Sequence, residues 1–260
     1  MIPKIIHCVW FGTSSEYPED VARCIETWKA KMPDYEIRIW NEQNFDLSAC
    51  TYVKEAFGEK KYAFASDYVR LWALYYYGGI YLDTDVEVLK SFDDLLVNRA
   101  FAGFEDNDRI ATCVLGSEKG NPLFLELLEE YHGRKFILGE GQYDLTPNPV
   151  PITRRLIAHS LCLNGARQEL DEISIYPMDY FCPFNPYRKG ADCFTDNTYA
   201  NHHFNGTWKK VLSDAERKYA AKEKRFRKVF GAKWGSRICK HLTIIRHIGF
   251  SAWAKKYLHK

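Results

Sequence analysis

Two aspartates one residue apart, Asp83 and Asp85 in the run Tyr81-Leu82-Asp83-Thr84-Asp85-Val86-Glu87, follow Gly78-Gly79 and a short apolar segment. If that segment is a strand, alternation puts both carboxylates on one face and Thr84 on the other, so one cation can meet both. Oxygen ligands of this kind suit Mg2+ or Mn2+, which complete their shells with substrate phosphates. The chemistry implied is that of a diphosphate-bearing substrate. Asp-x-Asp alone is common in surface turns, so its weight comes from its surroundings. Asp67 and Arg70 lie three apart, on one face of a helix, within the otherwise apolar and aromatic stretch from Tyr62 to Tyr77. A charged pair on a buried helix needs partners or a purpose; the alternative is a plain intrahelical ion pair. Two adjacent histidines, His202 and His203, form a third candidate. On a strand they point to opposite faces, so at most one reaches a metal while the other is structural. A core histidine is the competing reading.

These groups must be positioned by regular elements. Residues 2–10 read as a first strand, the spacing of Val21, Ile25 and Trp28 predicts a helix from about Pro18 to Lys31, and residues 35–40 alternate as a second strand. The Asp67/Arg70 helix, with Ser66 or Asp67 near its start and Gly78 as its stop, leads into a strand over 79–83. Further strands are expected at 101–105 and 110–116, and a helix from Pro122 to about His132, proline being favoured in the first turn. Strands alternating with helices predict an α/β sheet covered on both faces, with ligands at the carboxyl ends of its strands. Residues 139–200 are rich in Gly, Pro, Asn and Tyr, and long loops in a compact domain usually serve function.

The chain of 260 residues is long enough for one large core. It lacks a run of about 18 apolar residues, and its first ten residues read as a buried strand rather than a signal peptide. We therefore expect a cytoplasmic protein, or one peripheral at the inner face of the cell membrane. Its eight cysteines show no Cys-x-x-Cys pair, which favours buried reduced thiols over a zinc site or a disulfide scaffold. The 44 residues from Arg217 to Lys260 hold 14 Lys and Arg against the single acid Glu223, whereas the preceding 216 hold 22 against 33 acids. We expect a catalytic domain over 1–216 and a basic, mainly helical extension over 217–260. Aromatic and aliphatic residues interleaved with the extension's bases suit a membrane surface; a basic hairpin packed on the acidic body stays open. No helix-turn-helix, zinc-finger or RNA-binding signature is present, so no nucleic-acid partner is expected.

Four ordered blocks complete the reading: Ile2-Pro3-Lys4-Ile5-Ile6-His7 with Val9-Trp10-Phe11-Gly12; Ala65-Ser66-Asp67-x-x-Arg70; Gly78 to Asp85; and His202-His203 with Gly206-Thr207-Trp208. Together they resemble the glycosyltransferases with a DXD sugar-binding region (glycosyltransferase family 32), which include capsule and lipopolysaccharide enzymes and the yeast initiating mannosyltransferase and are related to the large glucosylating toxins. The resemblance implies a GT-A-type nucleotide-sugar-binding sheet flanked by helices and a metal-dependent transferase that retains anomeric configuration. The donor would be a UDP- or GDP-sugar and the acceptor a glycan or lipid-linked sugar, in surface polysaccharide synthesis. It further implies that Trp10 stacks on the base, that Asp67 and Arg70 hold sugar hydroxyls, and that Asp83 contacts ribose and sugar. Asp85 and His203 would bind Mn2+ or Mg2+, and Trp208 would close over the diphosphate. The chain departs from relatives at Thr207, where many have Ser, and at Asn148 to Thr153, where relatives often show Thr-Gly-Pro. Glu105, Asp106 and Asp108 are candidates to line the sugar or to form a solvated acidic loop.

Two rivals come from other classes. A haloacid-dehalogenase-type phosphatase also carries Asp-x-Asp, but normally at the end of its first strand, whereas here some 80 residues precede it. A non-catalytic carbohydrate-binding protein on the same fold would be marked by loss of Asp83 or Asp85, and both are present.

Overall fold

The computed structural model describes residues 1–12, 17–186 and 192–205. In chain order its elements are β1 (Ile5–Val9), α1 (Glu19–Lys31), β2 (Glu36–Trp40), α2 (Thr51–Gly58), α3 (Tyr62–Tyr77), β3 (Gly79–Leu82), β4 (Val86–Val88), β5 (Ala100–Asp106), β6 (Arg109–Ile110), β7 (Val114–Ser117), α4 (Pro122–Glu129), β8 (Ile137–Gly139), β9 (Gln142–Tyr143), α5 (Pro149–Ala158), β10 (Gln168–Glu169), β11 (Ser174–Tyr176) and β12 (Ala200–His202). The main sheet runs β10-β11-β5-β7-β3-β1-β2, with β6 paired to β5. Its pairings give β2, β1, β3, β5 and β11 one direction and β7 and β10 the other. β4 and β12 form a separate antiparallel ribbon.

The expected α/β class holds. The central strands of the main sheet feed two cores, because alternate side chains face opposite ways. Tyr81 and Leu115 join α2, α3, α4 and α5 on one face, whereas Ile6, Cys8, Ile80, Leu82 and Val114 join α1 and the ribbon on the other. Two expectations change. The predicted strand over 110–116 is broken: β6 ends at Ile110, β7 begins at Val114, and residues 111–113 bend between them. Strand β3 stops at Leu82, one residue before the first aspartate. The domain boundary expected at 216/217 and the whole basic extension lie outside the described residues. Among the described residues no helix is long and apolar enough to cross a membrane, and none of the seven described cysteines is in a disulfide.

The turn from α3 into β3 explains the glycine pair. Gly78 has φ 68° and Gly79 φ 111°, values that side-chain-bearing residues rarely adopt. A Cβ on Gly79 would also stand 2.5 Å from the carbonyl oxygen of Ile5. The chain therefore reverses tightly and lays β3 directly against β1.

His7 locks the same corner. It is fully buried, with Nε2 2.7 Å from the Gly78 carbonyl and Nδ1 accepting from the Trp40 indole N–H at 3.2 Å. These partners fix a neutral imidazole with its proton on Nε2. Burial lowers its pKa from 6.5 to about 4, against the pull of the Gly78 carbonyl. Between those values the unfolded chain binds a proton that the folded chain refuses, so stability falls as pH is lowered from about 6.5 to 4, a loss of about 3 kcal/mol at the limit. His7→Gln is expected to flatten that slope in urea melts recorded at several pH values; an unchanged slope would show that His7 does not titrate there.

Candidate active site

The site is built around one guanidinium. Arg70 leaves the middle of α3 at 4% exposure. Its Nη1 donates to the Thr112 carbonyl at 2.8 Å and lies 3.3 Å from Asp83 Oδ1. Its Nη2 lies 3.0 Å from Asp67 Oδ1 and 3.3 Å from Ser66 Oγ. The plane of the group stacks on Tyr81, 4.5 Å from the ring centroid, and the Tyr81 hydroxyl donates to Asp83 Oδ1 at 2.8 Å. Only a fork of several donors spans these partners, which are drawn from a helix, a strand end and the loop before β7. Asp67, 7% exposed, is also gripped from α5's leading edge: the Asn148 backbone N–H donates to its Oδ2 at 3.3 Å, and the Asn148 side-chain amide donates to its carbonyl at 2.8 Å. Burial opposes the charge of Arg70, yet Asp83 foremost keeps it strongly cationic. Burial also raises Asp67 to about 7, although Arg70, which it shares with Asp83, pulls it down.

Asp83 and Asp85 do meet, but not by strand alternation. The Asp83 N–H donates to the Cys113 carbonyl at 2.9 Å, and the Val86 N–H donates to the Asp83 carbonyl at 3.0 Å, closing a tight turn over Asp83-Thr84-Asp85. The turn folds the two carboxylates onto a histidine. Asp83, Asp85 and His202 each offer a ligand atom within 4.8 Å of the others, and His202 Nε2 lies 3.2 Å from Asp85 Oδ1. Two carboxylates and an imidazole, each partly buried, are a donor set that fits Mn2+ or Mg2+. Burial would raise Asp85, but the His202 hydrogen bond and charge, with the Asn205 N–H 2.9 Å from its Oδ2, hold it below the usual carboxylate range.

The sequence expectation gave this place to His203. In the structure its neighbour takes it: β12 ends at His202, and His203 turns away to Glu87, Nε2 to Oε2 3.1 Å. The physical reason is the alternation that separates adjacent residues on a strand; the pairing of His202 with Val86 directs His202 toward the aspartates. Trp10 caps β1, the parallel neighbour of β3, with Tyr17 edge-on at 5.6 Å. Its buried indole N–H finds no acceptor among the described residues. Trp208 lies outside them. Glu105 is the penultimate residue of β5 at the same edge, its carboxyl raised by burial, while Asp106 and Asp108 engage each other and Arg109, so the acidic-loop reading suits those two. Sequence reasoning missed Tyr81, Asn148 and Thr112; the aromatic preceding the aspartates was the one available signal.

The site defines a class. Residues 18–102, which hold Asp67, Arg70, Asp83 and Asp85, match the family model described as glycosyltransferase sugar-binding region containing DXD motif. Similar proteins include inositol phosphoceramide mannosyltransferase 3 of Schizosaccharomyces pombe, 33% identical over 131 residues covering 49% of this chain and 36% of that protein. Another is mannosyl phosphorylinositol ceramide synthase CSH1 of Saccharomyces cerevisiae, 28% identical over 137 residues covering 50% and 35%. The chain thus spans about a third of either relative's length. A solved PaToxG glycosyltransferase aligns over 60% of this chain and 69% of its own with TM-score 0.46 and 21% identity.

Two outcomes test the geometry. Arg70→Met strands Asp67 and Asp83 and is expected to cost about 3–5 kcal/mol in urea unfolding, with Arg70→Lys intermediate; a loss under 1 kcal/mol would show the fork to be dispensable for stability. Because the folded chain keeps Asp67 protonated up to about pH 7 while the unfolded chain ionises it near 3.8, Asp67 contributes stability that is lost as pH rises through that window. In Asp67→Asn stability is expected to climb with pH from 4 to 7 more steeply than in the parent; parallel curves would place the Asp67 pKa in the ordinary range.

Proposed function

We propose that this chain transfers a sugar from a nucleoside-diphosphate sugar to a glycan or lipid-linked acceptor, with retention of configuration. The observation that supports it most is the convergence of Asp83, Asp85 and His202 beside the buried Asp67–Arg70 pair, which sets a hard-cation donor set next to groups suited to sugar hydroxyls. Asp83, Asp85 and His202 would hold the divalent ion, and the imidazole in the set tilts the choice toward Mn2+ over Mg2+. When bound, the ion supplies positive charge for the diphosphate leaving group.

The chain's own residues do the rest. Asp67, held by Asn148, accepts hydrogen bonds from sugar hydroxyls, and Arg70 keeps Asp67 and Asp83 in place. Trp10 offers an aromatic face for the base and an indole N–H in want of an acceptor. Trp208 is proposed to cover the diphosphate. The relatives' names point to hexose transfer onto an inositol-containing sphingolipid. For this chain they favour a lipid acceptor, with mannose as the first sugar to try, over the capsule and lipopolysaccharide roles implied by the motifs alone. A lipid acceptor also suits the basic 217–260 extension, which we propose docks the enzyme on an anionic membrane at its cytoplasmic face, each base contributing about 1 kcal/mol near such a surface.

Donor hydrolysis across a panel of UDP- and GDP-sugars with Mn2+ tests the activity; silence across the panel, with a folded protein, would favour a binding role instead. Asp85→Ala is expected to abolish the metal dependence of nucleotide binding in calorimetry, and equal affinity with Mn2+ and with EDTA in the parent would sink the metal assignment. Asp67→Asn should lower turnover by 100-fold or more, roughly the loss a misplaced reactant brings, while nucleoside-diphosphate affinity stays within about twofold. Sedimentation with anionic liposomes should fall steeply as salt screens the tail; absence of binding at low salt would remove the membrane proposal.

A further inference from the structure

Behind the candidate active site lies a second group of ligands that the proposed reaction does not use. Cys113, in the bend before β7, and Cys182, just after the helical turn Met178–Tyr180, are both buried, and their Sγ atoms are 3.4 Å apart. His202 joins them: Cys113, Cys182 and His202 each present a ligand atom within 4.8 Å of the other two. Three segments far apart in sequence thus bring two thiols and an imidazole to one point beside the aspartate turn, where the Cys113 carbonyl already accepts from the Asp83 N–H.

We infer that Cys113, Cys182 and His202 form a site for a soft divalent cation, Zn2+ above all, whose occupation withdraws His202 from Asp83 and Asp85. Tetrahedral zinc takes sulfur at about 2.3 Å and nitrogen at about 2.0–2.1 Å, which places its ligand atoms a little under 4 Å apart, a spacing this trio reaches by small side-chain shifts. The fourth position falls to a solvent oxygen or a carboxylate. On capture each thiol gives up its proton to water and binds as thiolate, and His202, cationic beside Asp85, gives up its second ring proton so that it binds as neutral imidazole.

Softness sorts the two sites. Thiolates select zinc, and Mn2+ is the weakest-binding ion of the first row, whereas paired carboxylates suit Mn2+ and Mg2+. A neutral imidazole has one lone pair to give, so His202 serves one ion at a time. Zinc is therefore an inhibitor that acts from behind the active site without entering the donor pocket. The inhibitory consequence rests on the proposed role of Asp83, Asp85 and His202; the soft-metal site does not.

The test uses the full chain and Co2+ as a spectroscopic substitute for Zn2+. Co2+ is expected to give a thiolate-to-cobalt charge-transfer band that equimolar Zn2+ bleaches, and the Cys113→Ser/Cys182→Ser double variant is expected to lack it. With Mn2+ present, Zn2+ should suppress donor hydrolysis in the parent, and the double variant should need about 100-fold more Zn2+, the upper end of what weakening a metal's surroundings costs, while keeping the parent's zinc-free rate. If the double variant proves unstable by thermal melt, Cys182→Ala alone takes its place, and thiol titration of the denatured parent checks that both cysteines are reduced. A Cys113–Cys182 disulfide in that titration, or a parent without the charge-transfer band, overturns the site. The band together with equal zinc inhibition in parent and variant overturns the competition for His202. Absence of any donor hydrolysis strikes the proposed function instead and leaves the cobalt readout to decide the site.

Discussion

The Arg70 guanidinium is the interaction on which the rest of the site depends. A charge buried to this degree is tolerated only when it is paired and hydrogen-bonded, and the partners of its two terminal nitrogens come from helix α3, the end of β3 and the loop before β7, while the buried Nε has no acceptor among the described residues. The demand runs both ways. Asp83 cannot relax toward solvent without stranding Arg70, and Thr112 cannot withdraw its carbonyl. Ordering is thus imposed on the aspartate turn by electrostatics within the core, before any substrate arrives, and the pre-organisation that binding or catalysis needs is carried by the fold.

Helix α3 can supply that group because the surrounding packing fixes its height along the sheet. Gly78 and Gly79 let the chain double back at once into β3, and His7 ties the turn to β1 and to Trp40 on β2. With the helix end pinned there, Asp67 and Arg70 fall two to three turns upstream, level with the carboxyl ends of β1 and β3. Trp10 and the aspartate turn occupy those same ends. One short connection thereby sets the registry of Trp10, the Asp67–Arg70 pair and the carboxylate turn.

Much of this was legible from residue types. The helix Tyr62–Tyr77, its glycine stop and the strand after it follow from periodicity and punctuation, and the misfit of Asp67 and Arg70 with an apolar helix pointed to a buried role. Local pattern could not say where strand β3 would end, because the turn at Asp83 is held by the carbonyl of Cys113, a partner thirty residues away. For the same reason it could not choose between His202 and His203. Alternation says that the two point apart, but which one meets the aspartates is set by the register of β12 on β4, and register is a tertiary fact. The split of the predicted 110–116 strand has a similar origin: Thr112 and Cys113 leave the ladder to meet Arg70 and Asp83.

Strand β7 runs against its neighbours β3 and β5, and that reversal changes which loops the site is exposed to. In an all-parallel sheet the edge holding the strand carboxyl ends is reached only by chain leaving the strands. Here the segment entering β7 arrives at that edge head-on, bringing backbone carbonyls as well as side chains. Changes of length or sequence between Asp106 and Val114 would act directly on the aspartate turn, whereas equivalent changes at the far edge of the sheet would not. In this fold, that loop is where the chemistry at the site can be altered from outside the strands that carry the aspartates.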